Sequence, residues 1–214
     1  GMEFVKIDFK TVVTEFHENY KDFDSENQDE QKKECLLSIL KERESKTLVY
    51  AGSHSQTDEV LDILIEQLPN VDTWILNAFS AWLKENYSED YKLAQAVLKG
   101  VGIHNGRIHR SLSQLQVKLF EKAGRLNTLV STSSIIEGVN TSAENVVLWS
   151  NRNGNRGLTS FAYNNIAGRG GRMFQYFVGR VFNLVEPPAR EPKSLKLDFP
   201  DDVLVSIDVE KHKQ

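Results

Sequence analysis

The apolar positions along the chain change period repeatedly, and each change marks an element. Residues 26–46 (ENQDEQKKECLLSILKERESK) repeat apolar positions every three or four residues, which predicts an amphipathic helix. Residues 47–53 (TLVYAGS) are a short β-branched apolar run ending in Gly-Ser, the pattern of a buried strand. Helical period returns over 55–68, with Ser and Thr as start signals, and again over 72–87 and 88–100, the last stopped by Gly100. Residues 101–106 (VGIHNG) predict a strand running into a glycine-ended loop. Residues 111–124 (SLSQLQVKLFEKAG) predict a helix capped by Ser111 and ended by Gly124. NTLVSTS, NVVLWS and VGRVFNL, starting at positions 127, 145 and 178, predict three more apolar strands.

Strands alternating with helices predict an α/β domain on a mainly parallel sheet. Ligands of such sheets bind beyond the carboxyl ends of the strands. Three of those ends are small and polar: AGSHS, IHNGR and STSSIIEGVN. The same order of elements divides the chain into a polar lead and helix at 1–45, the α/β domain at 46–186, and a Pro-rich exit and tail at 187–214. No internal repeat or low-complexity tract interrupts it.

Composition narrows this further. The 214 residues are 40% hydrophobic and 26% charged, the profile of a soluble globular domain with extensions. No apolar run approaches the roughly eighteen residues of a membrane span. The start, GMEFVKIDFK, lacks the apolar core of a secretory signal, so a cytoplasmic protein is expected, and Gly1 ahead of Met2 reads as a remnant of tag removal. The single cysteine, Cys35, fits a reducing compartment, and its place in KKECLLSIL predicts a buried, inert thiol.

The net charge of −4 argues weakly against a nucleic-acid partner, but its distribution matters more. From Asn145 to Val185 there is no Asp or Glu, while Arg152, Arg156, Arg169, Arg172 and Arg180 all fall there. One face or edge of the fold is therefore expected to be basic.

Arg169 and Arg172 lie three apart in YNNIAGRGGRM, a spacing that puts both on one face of a helix. Apolar Phe161, Ile166 and in part Tyr163 are expected to turn that helix toward the core. Gly168, Gly170 and Gly171 are poor helix residues whose benefit is close approach of a ligand or backbone. Arginine keeps its charge and offers a planar fork to phosphate, so the pair reads as a phosphate clamp. A solvated, glycine-ended helix and an RGG-like RNA-binding tract are the other readings. In STSSIIEGVNTSAENVVLW, small hydroxyl residues and then Glu137, Gly138 and Asn140 follow a strand, which suits phosphate or ribose contacts or an ordinary capped βα turn. Gly106 leaves room for a sugar-phosphate backbone, and His104 beside it reads as a ligand, a base or a structural residue. No second His or Cys stands at metal spacing from His104, so no metal site is expected. No Gly-x-Ser-x-Gly elbow is present, and no G-x-x-x-x-G-K-[ST] phosphate loop. Trp74, Phe79 and Trp82 fit helix packing, in the core or against a missing domain, better than base stacking.

Taken in order, these segments resemble the second, C-terminal RecA-like domain of superfamily-two helicases, closest to the Ski-type and related DEAD/DEAH-box-like proteins. TLVYAGS stands at motif IV, VLKGVGIHNGR at the "LLxxGIxxHHG" segment, TSSIIEGVN (132–140) at motif V and NIAGRGGR (165–172) at motif VI. The resemblance implies a RecA-like three-layer sandwich with helices on both faces. It implies ATP and Mg²⁺ held mainly by an N-terminal RecA-like partner domain that carries the phosphate loop, with DNA or RNA as the other partner. Arg172 would be the arginine finger and Arg169 a second phosphate contact or its anchor. Gly138, Asn140 and Asn165 would face the nucleotide, and Ser53, Gly106 and Thr132 the nucleic-acid backbone. Asn165 stands where that family carries Gln, and Asn105 replaces the second His of its HHG form. The expected function is thus the second motor domain of an ATP-dependent helicase or translocase, inactive as an ATPase by itself. A non-enzymatic nucleic-acid-binding scaffold and a free-standing small-nucleotide domain are the readings from other classes.

Overall fold

The continuous apolar runs form strands that are covered on both faces, which is why they do not alternate. A computed structural model describes residues 13–41, 45–122, 125–134, 143–170 and 178–189. The first half holds β1 (Val13–His17), α1 (Gln28–Leu40), β2 (Thr47–Tyr50), α2 (His54–Gln67), α3 (Trp74–Asn86), α4 (Lys92–Leu98) and β3 (Val101–His104). Then come α5 (Arg110–Glu121), β4 (Thr128–Ser131), β5 (Asn145–Leu148), β6 (Arg152–Asn153), β7 (Arg156–Gly157), α6 (Ser160–Ala167) and β8 (Val178–Asn183).

Among the described residues, six strands make one sheet in the order β1-β8-β5-β2-β4-β3, every pairing parallel, while β6 and β7 form a separate antiparallel hairpin. Helices pack around the sheet, and the result is the expected α/β RecA-like sandwich. β2, β3, β4 and β5 are buried at every position. Leu48, Val130, Val146 and Val181 join Val60, Leu61 and Leu64 of α2 in one core. α2 packs on α4 and β4, and α3 packs on α4.

The two sheet edges are finished differently. At β3, the fully buried Gln116 of α5 accepts the Ile103 amide at 2.7 Å and donates to Leu112 O, so a side chain occupies the place of a further strand. Gly102 permits this: a Cβ there would lie 2.9 Å from Leu126 and 3.1 Å from Gln116 Oε1. At the other edge, β1 comes from the polar lead and pairs in register with β8, Val13 opposite Val178. Its Glu15 and Phe16 are exposed, so it carries little apolar signal.

Several local expectations change. Gly100, at φ +76°, follows α4 as expected, but Ser111 does not cap α5. The helix starts a residue earlier, and His109 is its cap, accepting the Ser111 amide. Phe161 is not turned to the core but 75% exposed, while Tyr163 and Ile166 are buried as expected. Phe79 is buried, but Trp74 and Trp82 are 73% and 45% exposed. Cys35 is half-buried, and desolvation raises its thiol pKa, in keeping with an inert group. Among the described residues no helix is long and apolar enough to cross a membrane.

Candidate functional site

The candidate residues fall at two opposite ends of the sheet. At the carboxyl end, β2 runs through Gly52 (φ +78°) into Ser53, whose hydroxyl caps α2 by accepting the Gln56 amide at 3.3 Å. Ser53 thus has a structural duty beside any ligand contact. β3 ends at His104 and β4 at Ser131, and the residues beyond them meet. His104 Nδ1 lies 2.9 Å from Ser134 Oγ, and Ser134 Oγ lies 3.4 Å from Thr132 Oγ1. The His104 carbonyl accepts both the Thr132 amide and the Ser134 hydroxyl, at 3.2 Å each. Burial lowers the His104 pKa, which favours the neutral ring at pH 7. Its Nδ1 pairs with a hydroxyl rather than a carboxylate, so the contact orients Ser134 and does not raise the basicity of the imidazole.

Beside this cluster is an open groove of about 670 Å³. Its walls include His104, Asn105 and Ser134 on one side and Arg110, Ser113 and Lys118 of α5 on the other, with Glu121 the one acid among the described lining residues. Gly106 opens onto space, with nothing within 4 Å of where a Cβ would stand. A chain of phosphates finds hydroxyl donors and two cations here.

The hairpin stands at the carboxyl end of β5. Residues 151–157 (NRNGNRG) are all exposed and carry Arg152 and Arg156. It is nonetheless fixed: Tyr50 Oη donates to Arg152 O at 3.0 Å, Gly154 N to Gly52 O at 2.9 Å, and Arg152 N to Ser150 Oγ at 3.2 Å. Arg180, from the same acid-free stretch, is different: it pairs with Glu144 at 3.6 Å, just outside that stretch.

Arg169 lies at the opposite, amino end of the sheet. α6 stops at Ala167, so Arg169 sits in a turn and not on the expected helix. Its amide donates to Ile166 O three residues back, a tight closure suited to the glycines around it. The Arg169 carbonyl accepts the Ala143 amide at 3.0 Å, and Gly170 bridges Ala143 in parallel. Gly170 is packed against Val146 and Val181, close to the start of β5. Residues entering β5 and residues leaving α6 therefore run side by side. The Arg169 guanidinium is half-buried, which lowers its pKa without discharging it at neutral pH. Asn165 is half-buried on α6 one turn before it. Arg172, Gly138, Asn140 and Glu137 lie outside the described residues.

A relative is identified. The chain is 37% identical over 186 residues to Anti-bacteriophage protein B of Escherichia coli (strain K12). That match takes in 86% of this chain but 25% of the relative, so the chain spans about a quarter of the relative's length. No protein-family model matches the chain. These findings overturn the superfamily-two helicase resemblance: the relative is named for phage defence and not as a helicase, and no family model matches. The four sequence segments had suggested that family through short patterns of glycine, hydroxyl and arginine residues, which any phosphate-handling α/β domain draws upon.

Sequence reasoning did not find the His104–Ser134 contact or the hairpin. The first joins residues thirty apart through neighbouring parallel strands, and nothing local encodes it. The second had a signal, the Gly-Asn step at 154–155, a two-residue turn pair that marks tight hairpins.

Proposed function

We propose that this domain is the second motor module of an ATP-driven nucleic-acid translocase acting in phage defence. The observation that carries the reading is the separation of two ligand-suited regions by one short helix. Groove and hairpin occupy the carboxyl end of the sheet, Arg169 the amino end, and α6 leads from the hairpin to Arg169.

In this reading the groove and the hairpin arginines hold the phosphates of a single strand. Ser53, Gly106 and Thr132 are within or beside that grip. Arg169, with Arg172, meets the phosphates of ATP, where fixed positive charge stabilises a phosphoryl transition state. Nucleotide contacts are also assigned to Gly138, Asn140 and Asn165. ATP and its Mg²⁺ are held mainly by a partner domain, because this chain has no phosphate loop of its own. A change at Arg169 reaches the hairpin through α6 as a rigid rod, which couples the two grips. The name of the relative supports the setting in phage defence.

The test is nucleic-acid-stimulated ATP hydrolysis by the full-length polypeptide, wild type against Arg172→Ala and Arg169→Ala. Loss of turnover with nucleotide affinity largely kept is the expected result. Strand binding with no hydrolysis by the wild type would move the domain to a non-enzymatic scaffold.

A further inference from the structure

α3 presents an exposed face with a particular shape. Trp74, Ala78, Ala81 and Glu85 follow one another at helical spacing, all exposed, with Trp82 on the flank of the row. Ala78 lies between the two indoles along the helix axis, and Ala81 stands beside Trp82. The rise from residue 74 to 82 is about 12 Å, and a helix with its side chains is roughly 10–12 Å across. The indole rings take up part of that rise and Trp82 stands about 80° around the axis from Trp74, so the strip between them admits the apolar ridge of a crossing helix rather than its full width, and Ala78 lets that ridge come close.

Both walls are held in place. Trp74 lies under the Arg125 guanidinium, 5.9 Å from the ring centroid. Trp82 meets Tyr87 edge-on at 6.2 Å, and Tyr87 stacks on Tyr91 at 5.0 Å. This aromatic set is in mutual ring contact yet open to solvent, with Tyr87 51% exposed. An aromatic side chain can bury some 150–250 Å², so the exposed parts of Trp74, Trp82 and Tyr87 amount to about 350 Å². That falls within the range of the largest apolar patch on a monomer, which is often functional.

The occupant follows from area, length and charge. The three aromatics alone offer less than half of the roughly 800 Å² per partner that a stable dimer buries, so they would need much additional surface to hold a second copy. A helix tethered in the same polypeptide needs less area, because tethering supplies millimolar effective concentration. The relative is about four times as long as the part this chain matches, which leaves room for such a helix. At the Trp82 end the rim is acidic: Glu85, Glu89 and Asp90 against Lys84, itself 3.0 Å from Glu89. We propose that the Trp74–Trp82 saddle of α3 docks an amphipathic helix from another domain of the same polypeptide, apolar along its face and basic where it passes Trp82. Since Trp74 lies near the amino ends of β3 and β4, away from groove and hairpin, the inference does not depend on the motor reading.

Hydroxyl-radical footprinting of the full-length protein tests it without a variant. Trp74 and Trp82 are expected to oxidise several-fold more slowly than an exposed indole. Oxidation of both at the exposed rate would overturn the proposal. A benzophenone photo-cross-linker at Ala78 then names the occupant. A cross-link within one polypeptide, to an apolar helix flanked by Lys or Arg, supports the assignment. Cross-links between two copies, to another protein, or none at all, overturn it.

Discussion

The amide of Gly154, at the tip of the β6–β7 hairpin, donates to the carbonyl of Gly52, at the end of β2. One central strand thereby holds the basic hairpin, and Gly52 can do so only without a side chain. A Cβ at Gly52 would lie 2.3 Å from Arg152 O, and its φ of +78° is costly for other residues. Gly52→Ala is expected to destabilise the domain by about 2 kcal/mol or more, since left-handed strain and a backbone clash add. Urea unfolding measures this, and a variant as stable as wild type would show that the hairpin is not anchored there.

Arg152 and Arg156 should act on binding and not on stability, because both are exposed. Replacing both by Ala is expected to weaken single-strand binding and flatten its dependence on log salt by about one to two, roughly one per lost phosphate contact. Titrations at several salt concentrations read the slope. An unchanged slope removes the hairpin from the interface.

Burial lowers the pKa of His104, and the consequence has a definite sign. Between the lowered native value and the unfolded value near 6.5, the unfolded chain binds more protons, so stability rises with pH across that window. Acidification from pH 7 through 6.5 should therefore cost stability, and His104→Asn should lose less of it. Unfolding free energies of both proteins at several pH values check this. Parallel profiles would mean that His104 carries no such penalty.

Gln116 closes the β3 edge, and Gln116→Leu keeps its bulk but removes the acceptor of the Ile103 amide. A buried donor left without a partner costs about 1–3 kcal/mol. The variant is also expected to self-associate, since a strand edge regains an unpaired amide. Sedimentation and urea unfolding report the two effects separately.

The sheet was legible in the sequence because buried parallel strands read as apolar runs, and TLVY, VGIH, TLVS and NVVL all lie within predicted strands. β1 was not, because an edge strand with exposed Glu15 and Phe16 gains its partner only through residues late in the chain. The candidate site was legible as residue types and less so as places. Spacing suggested Arg169 on a helix, but the glycines end α6 two residues earlier. Phe161 looked like core by its apolarity, whereas its neighbours Tyr163 and Ile166 take the buried face. The division of the site between the two sheet ends follows from the direction of α6, which no local pattern states.

The pairing of β1 with β8 sets an order on biosynthesis. The first described strand finds its neighbour only in the last one, so a nascent chain leaving the ribosome carries β1 unpaired until β8 has emerged. At about 5–20 residues per second that interval lasts on the order of ten seconds or more, during which the open strand is a target for chaperones or for mispairing. The polar, charged character of β1 and its surroundings, which hides it from sequence patterns, also keeps it soluble while it waits.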